Sequence, residues 1–178
     1  ADWTKVGKGI TNCLSVPDLP LDAKGTKFAV PGGYIKGGDL AGYKPITSFN
    51  DAYFRDGVQE SVKHAWYKGG KGALHPYKGE TIPQYTDFQD NGKYSWVKSP
   101  TFYGDTVQVG PLARVLAWAA AKYEPGLRHL NRVIGMAESI AKTKIPLDAL
   151  HSTIGRHAAR AVVCGSMVEN LQQQWQLL

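Results

Sequence analysis

The chain has 178 residues and a formal net charge of +6, from 21 Lys and Arg against 15 Asp and Glu. That length suffices for one packed domain without metal or disulfide staples, and the basic residues are too scattered to give a footprint for nucleic acid. No apolar run approaches the roughly 20 residues of a membrane span, and the first residues lack the basic-then-apolar pattern of a secretory signal.

The first third is rich in Gly, Pro and Asp, with short apolar runs at Cys13-Leu14-Ser15-Val16, Phe28-Ala29-Val30 and Tyr34-Ile35. Such runs suit short strands, with Pro31-Gly32-Gly33 and Gly37-Gly38-Asp39 as turns between them. From Ser48 to Trp66 the apolar residues Phe54, Val58, Val62 and Trp66 recur every four positions. That spacing predicts an amphipathic helix, capped at Ser48 or Asn50 and closed at Gly69-Gly70.

Residues 71–93 have loop composition, long for a compact domain, so the segment is expected to be pinned against something. Tyr94-Ser95-Trp96-Val97-Lys98 then reads as a half-buried strand, stopped at Pro100. Pro111 opens a helix with an apolar stripe at Leu112, Val115, Leu116 and Ala119, which Glu124-Pro125-Gly126 is expected to end. A second helix carries Leu127, Leu130, Ile134, Ala137 and Ile140. A third begins near Leu147 to Leu150 and runs through Ile154, Ala158, Val162, Met167 and Leu171 to Trp175, with no stop signal before the last residue. That ending reads as a chain cut from something longer.

The reading is therefore an α+β fold in one domain, residues 1–178. It has a strand-and-loop region over 1–46, a helix over 47–68, a long loop and strand over 69–108, and a three-helix array over 109–178.

Local chemistry is sparse. None of the histidines His64, His75, His129, His151 and His157 forms a pair at the three- or four-residue spacing of a helical metal site. The acids fall at surface-like positions without an obvious facing pair, and no Gly-x-Ser-x-Gly elbow or phosphate loop is present. Cys13 and Cys164 are too few for a disulfide framework. One bridge between them is open, and two buried free thiols are the simpler expectation. Arg156 and Arg160 stand one helical turn apart, suited to carboxylates or to the carbonyls of a neighbouring element. Gly155 beside them costs about 1 kcal/mol in a helix relative to Ala, which points to close packing.

Several separated segments occur in a characteristic order: His64-Ala65-Trp66-Tyr67, then His75-Pro76-Tyr77 through Tyr85-Thr86. Tyr94-Ser95-Trp96-Val97-Lys98-Ser99-Pro100, Gly110-Pro111-Leu112-Ala113-Arg114 and Ser152-Thr153-Ile154-Gly155-Arg156 follow. Together they resemble the large subunit of nickel-iron hydrogenases, with weaker likeness at Ile10-Thr11-Asn12 and Pro31-Gly32-Gly33. Two departures are Thr101, where the family commonly has arginine, and Gln108, where it often has glutamate.

The resemblance implies a complete subunit that reversibly oxidises dihydrogen at a nickel-iron centre and passes electrons to an iron-sulfur small subunit. In that family four cysteines in two Cys-x-x-Cys motifs hold the metals, because soft thiolates suit nickel and can bridge to iron. This chain contains no Cys-x-x-Cys. It is accordingly expected to be an interior segment lacking both metal-binding ends, inactive alone, with no catalytic, cofactor-binding or metal-binding residue of its own.

Its expected partners are the remaining parts of the large subunit and the iron-sulfur small subunit, without nucleic acid and without a membrane span of its own. Both a periplasmic membrane-associated and a cytoplasmic location stay open. Trp66, His75, Tyr94, Trp96, Lys98, Arg114, Arg156 and Arg160 are the residues expected to serve packing or subunit contact, with Lys98 and Arg114 reaching polar groups outside the chain. The rival reading is a stand-alone helical interaction module of hydrogenase ancestry, which would carry a polar surface over its C-terminal helix.

Overall fold

Short apolar runs separated by Gly and Pro do form short strands. In the computed structural model, which describes residues 2–69, 73–74 and 81–176, β1 (Cys13–Ser15), β2 (Asp18–Pro20), β3 (Phe28–Val30), β4 (Gly32–Ile35) and β5 (Lys44–Ile46) occupy the first part of the chain. β1, β4 and β5 make one antiparallel sheet with β4 in the middle, pairing Leu14 with Tyr34 and Gly33 with Pro45. β2 and β3 form a separate antiparallel pair.

Gly32 and Gly33, expected in a turn, lie inside β4. Close approach explains them: a Cβ on Gly32 would stand 2.3 Å from the backbone of Pro17, and one on Gly33 would stand 2.1 Å from the Tyr43 ring. The Tyr43 hydroxyl donates to the Gly32 carbonyl at 2.7 Å, locking this contact.

The long helix expected over 47–68 is not formed. α1 covers only Ala52–Gly57, capped by the Asp51 carboxylate accepting from the Tyr53 N–H at 2.9 Å, and β6 (Val58–Ser61) follows at once. Two features override the four-residue period. A Cβ on Gly57 would sit 2.4 Å from the rings of Phe102 and Tyr103, so the helix stops where the chain must pass those aromatics. Residues 58–61 then pair with β8 (Ser99–Phe102) on one side and β7 (Ala73–Leu74) on the other. Tertiary pairing wins over local periodicity because it satisfies backbone groups and buries Phe102 together.

β8 also corrects the strand expected at 94–98. Pairing begins at Ser99 and runs through Pro100, a residue that an edge strand tolerates because its missing N–H is not needed by the ladder. Only an isolated bridge links Ser95 to Ala65.

The helical half comprises α2 (Pro111–Ala120), α3 (Glu124–Ala141) and α4 (Thr153–Trp175), each packed on the other two. Glu124-Pro125 opens α3 instead of closing α2, as suits a proline in the first turn of a helix. The third helix starts later than expected: Leu147–His151 is a 3-10 turn, and the Ser152 hydroxyl caps α4 by accepting from the Gly155 N–H at 3.0 Å. α2 is apolar nearly all round, with Leu112, Val115, Leu116 and Trp118 buried against β1, β4, α3 and α4.

The contacts divide the chain into two compact units where the sequence suggested one domain: Ala1–Phe49 with Gln108–Leu178, and Asn50–Val107. The first is built on α2. The second is built on the β6 sheet and on the buried residues Val62, Ala65 and Trp66.

Candidate functional site

In the smaller unit, two of the residues singled out by sequence, Trp66 and Trp96, come together. Trp66 is buried and makes edge contacts with Tyr85 at 4.9 Å and Trp96 at 5.2 Å between ring centroids. Its indole N–H donates to the Asp87 carbonyl at 3.0 Å. Tyr67 joins the cluster through its hydroxyl, which donates to the Trp96 carbonyl at 3.0 Å. Tyr94 stacks on His64 at 5.0 Å, and the His64 ring Nδ1 is hydrogen-bonded to the Gly92 carbonyl at 2.7 Å.

Lys98, the residue just before β8, makes an ion pair with Glu60 of β6, with the Thr81 hydroxyl 3.2 Å away and the Tyr67 ring face 5.8 Å away. Expected to reach outside the chain, it has partners within it.

Sequence reading missed Lys93. Its ammonium donates to three carbonyls, those of Val62 at 3.2 Å, Ala65 at 2.6 Å and Tyr67 at 2.9 Å. Three donors on one ammonium meet three carbonyls of a chain segment with no ladder of its own. The backbone completes the clasp, with the Trp66 N–H donating to the Ser95 carbonyl at 2.9 Å and the Tyr94 N–H to the His64 carbonyl at 3.0 Å. This is how the described end of the long loop, residues 81–93, is pinned; residues 71–72 and 75–80 lie outside the described residues. A lysine at the edge of a loop carries no signal of such a role, since its partners are all backbone oxygens.

In the larger unit, Arg114 on α2 pairs with Asp18 of β2 at 2.8 Å, another partner inside the chain. Arg156 bends back along α4, donating to the His151 carbonyl at 2.6 Å and the Gly7 carbonyl at 2.9 Å. Of the two chemistries open to it, it therefore takes carbonyls. Arg160 makes no ion pair or hydrogen bond among the described residues. His75 lies outside them.

His151 is buried and its Nδ1 has no hydrogen-bond partner among the described residues. Burial pushes its pKa below the usual imidazole value, against a smaller opposing pull from Asp148.

The cysteines do not suit a nickel-iron centre. Cys13 is buried in β1 beneath α2, where desolvation pushes its thiol up to about 11, opposite to the thiolate a metal needs. Cys164 is exposed on α4, contrary to the expectation that both thiols are buried, and both are free. Among the described residues no group of three or more His, Cys, Asp or Glu side chains is placed to hold a metal. No helix among them is long and apolar enough to cross a membrane.

The whole chain, residues 1–178, matches the family model for nickel-dependent hydrogenase. The chain belongs to that family. Among nickel-dependent hydrogenases it is 46% identical over 177 residues to the Hydrogenase-2 large chain of Escherichia coli (strain K12), the match covering 99% of this chain and 31% of that one. It is 33% identical over 177 residues to the quinone-reactive Ni/Fe-hydrogenase large chain of Wolinella succinogenes, covering 89% and 28%.

The fold is that of part of the Ni-Fe-Se hydrogenase from D. vulgaris Hildenborough, with a TM-score of 0.71 at 24% identity, covering 97% of this chain and 33% of that structure. This hydrogenase chain thus spans about a third of the length of its relatives. The ordered motifs that suggested the family span both of its units.

Proposed function

We propose that this chain is a scaffold segment of a hydrogenase large subunit. The complete subunit would reversibly oxidise dihydrogen to two protons and two electrons, passing the electrons to an iron-sulfur partner. The observation that carries the reading is the family match over the entire chain at about a third of the relatives' length. The donor set supports the division of labour: neither Cys13 nor Cys164 lies where a thiolate cluster could form with the other side chains described.

On this reading Trp66, Tyr94, Trp96, Lys98, Arg114 and Arg156 set the shape that the rest of the subunit packs against, and His75 and Arg160 serve contacts of the same kind. A stand-alone interaction module would need a polar surface over α4, where Val168, Leu171 and Trp175 are instead exposed. The test is nickel content and hydrogen-dependent dye reduction, measured on the 178-residue chain and on a complete large subunit that contains it. The chain alone should hold no nickel and reduce no dye, while the complete subunit with its partner does both. Turnover by the isolated chain would overturn the proposal.

A further inference from the structure

The side of α4 that faces away from its own unit repeats in a pattern that surface helices do not need. His157, Ala161, Cys164, Val168, Leu171 and Trp175 follow one another at alternating steps of four and three residues, and every one of them is exposed. Val168 is 57% exposed, Leu171 66% and Trp175 76%. The buried side of the same helix is Gly155, Ala159, Val162, Ser166 and Asn170, so the exposed row runs along the opposite face.

From Ala161 to Gln176 the only acidic or basic side chain is Glu169, and it is held against α3 by Arg128 and by His129 at 3.0 Å. The outer face is left with apolar and small side chains flanked by Gln172, Gln173 and Gln174. A helix apolar on both sides is a helix buried on both sides.

The geometry points to a specific occupant, which we infer to be a second helix contributed by the remaining part of the same large subunit. This rests on the function proposed above. A row at 3.5-residue intervals stays on one line only against another helix crossing at a shallow angle, each side chain entering a hole between four of its neighbour's. Over the eighteen residue steps from His157 to Trp175 such a seam is about 27 Å long. Ala161 and Cys164 let the partner approach closely at one end, and Val168, Leu171 and Trp175 supply apolar area at the other.

Near the small-residue end stands Arg160, unpaired among the described residues, so a carboxylate on the partner helix belongs opposite it. A lipid surface is the poorer fit, because an interfacial helix flanks its apolar row with Lys and Arg, not with Gln. The covering helix has a source: the matched relatives extend over more than twice the length of this chain beyond it, since the match covers 31% of the Hydrogenase-2 large chain.

Cys164 lies within the seam and reports on it directly. In the 178-residue chain iodoacetamide should label Cys164 at the rate of an exposed thiol, and Cys13 far more slowly. In the complete large subunit containing this segment, Cys164 labelling should fall at least about tenfold, the effect of roughly 1.4 kcal/mol of opening cost, and a Leu171→Lys variant should restore it. A photo-reactive phenylalanine analogue in place of Leu171 should cross-link to the same polypeptide, at positions three or four residues apart.

Equal labelling of Cys164 in the chain and in the complete subunit would overturn the inference. So would cross-linking to the small subunit, or protection in the isolated chain together with a doubled mass by light scattering. A subunit that oxidises hydrogen while Cys164 stays reactive would sink the seam and leave the proposed function standing. A subunit that protects Cys164 but never oxidises hydrogen would do the reverse.

Discussion

Gly155 is the residue whose purpose the sequence raised and the structure explains. It lies in the first turn of α4, where a Cβ would stand 2.3 Å from the Ala149 carbonyl oxygen and from the Leu150 Cα. Both atoms are backbone and cannot rotate away. Gly155→Ala should therefore destabilise the chain by about 1–3 kcal/mol in urea unfolding despite alanine's better helix propensity, and a stabilised variant would contradict the packing. His151, just before α4, could not be assessed from sequence, because a lone histidine gives no sign of its depth until the 3-10 turn that buries it is known. Its pKa is lowered by burial, so the unfolded chain binds its proton first as pH falls. Stability from this group is then intact above the ordinary value of 6.5 and is lost as pH drops from there through the depressed folded value. The melting temperature should fall more steeply between about pH 7 and pH 5 in the native chain than in His151→Gln, read by circular dichroism.

At the scale of elements, α2, α3 and most of α4 were readable because their apolar positions follow the helical period and Pro111 marks where α2 starts, whereas Pro125, read as closing α2, opens α3. Residues 58–66 follow the same period and become strand and loop, since Gly57 must pass Phe102 and Tyr103 and residues 58–61 are claimed by β8. The loop's anchor was equally hidden: Lys93 is one lysine among many until its three carbonyl partners are seen. Lys93→Met keeps the apolar stem and strands those oxygens, and hydrogen bonds from a charged donor are worth about 1.5–3 kcal/mol each. Hydrogen exchange at the amides of Trp66, Tyr94 and Ser95 should rise at least tenfold in this variant while α2 amides are unchanged. Unchanged exchange at all of them would mean that the ammonium is not what holds the loop.

At the scale of the whole molecule, the ordered motifs from His64 to Arg156 identified the family, and the family match extends over every residue of the chain. Among the described residues those motifs supply structural contacts. Trp66 packs on Trp96 and Tyr94 stacks on His64, Lys98 and Arg114 pair with Glu60 and Asp18, and Arg156 closes the turn before α4. Sequence order could reveal the family because such contacts need fixed residue types at fixed places. It could not reveal the partners, which come from far along the chain. The central claim, that these contacts shape a working hydrogenase, is tested most directly by exchange. The 178 residues would replace the matched segment of the Escherichia coli Hydrogenase-2 large chain, and hydrogen-dependent dye reduction would be measured on the assembled enzyme. The account predicts a chimera that holds nickel and oxidises hydrogen at a rate within about tenfold of the parent, a barrier change of roughly 1.4 kcal/mol. A chimera that accumulates as soluble protein yet neither binds nickel nor oxidises hydrogen would contradict it.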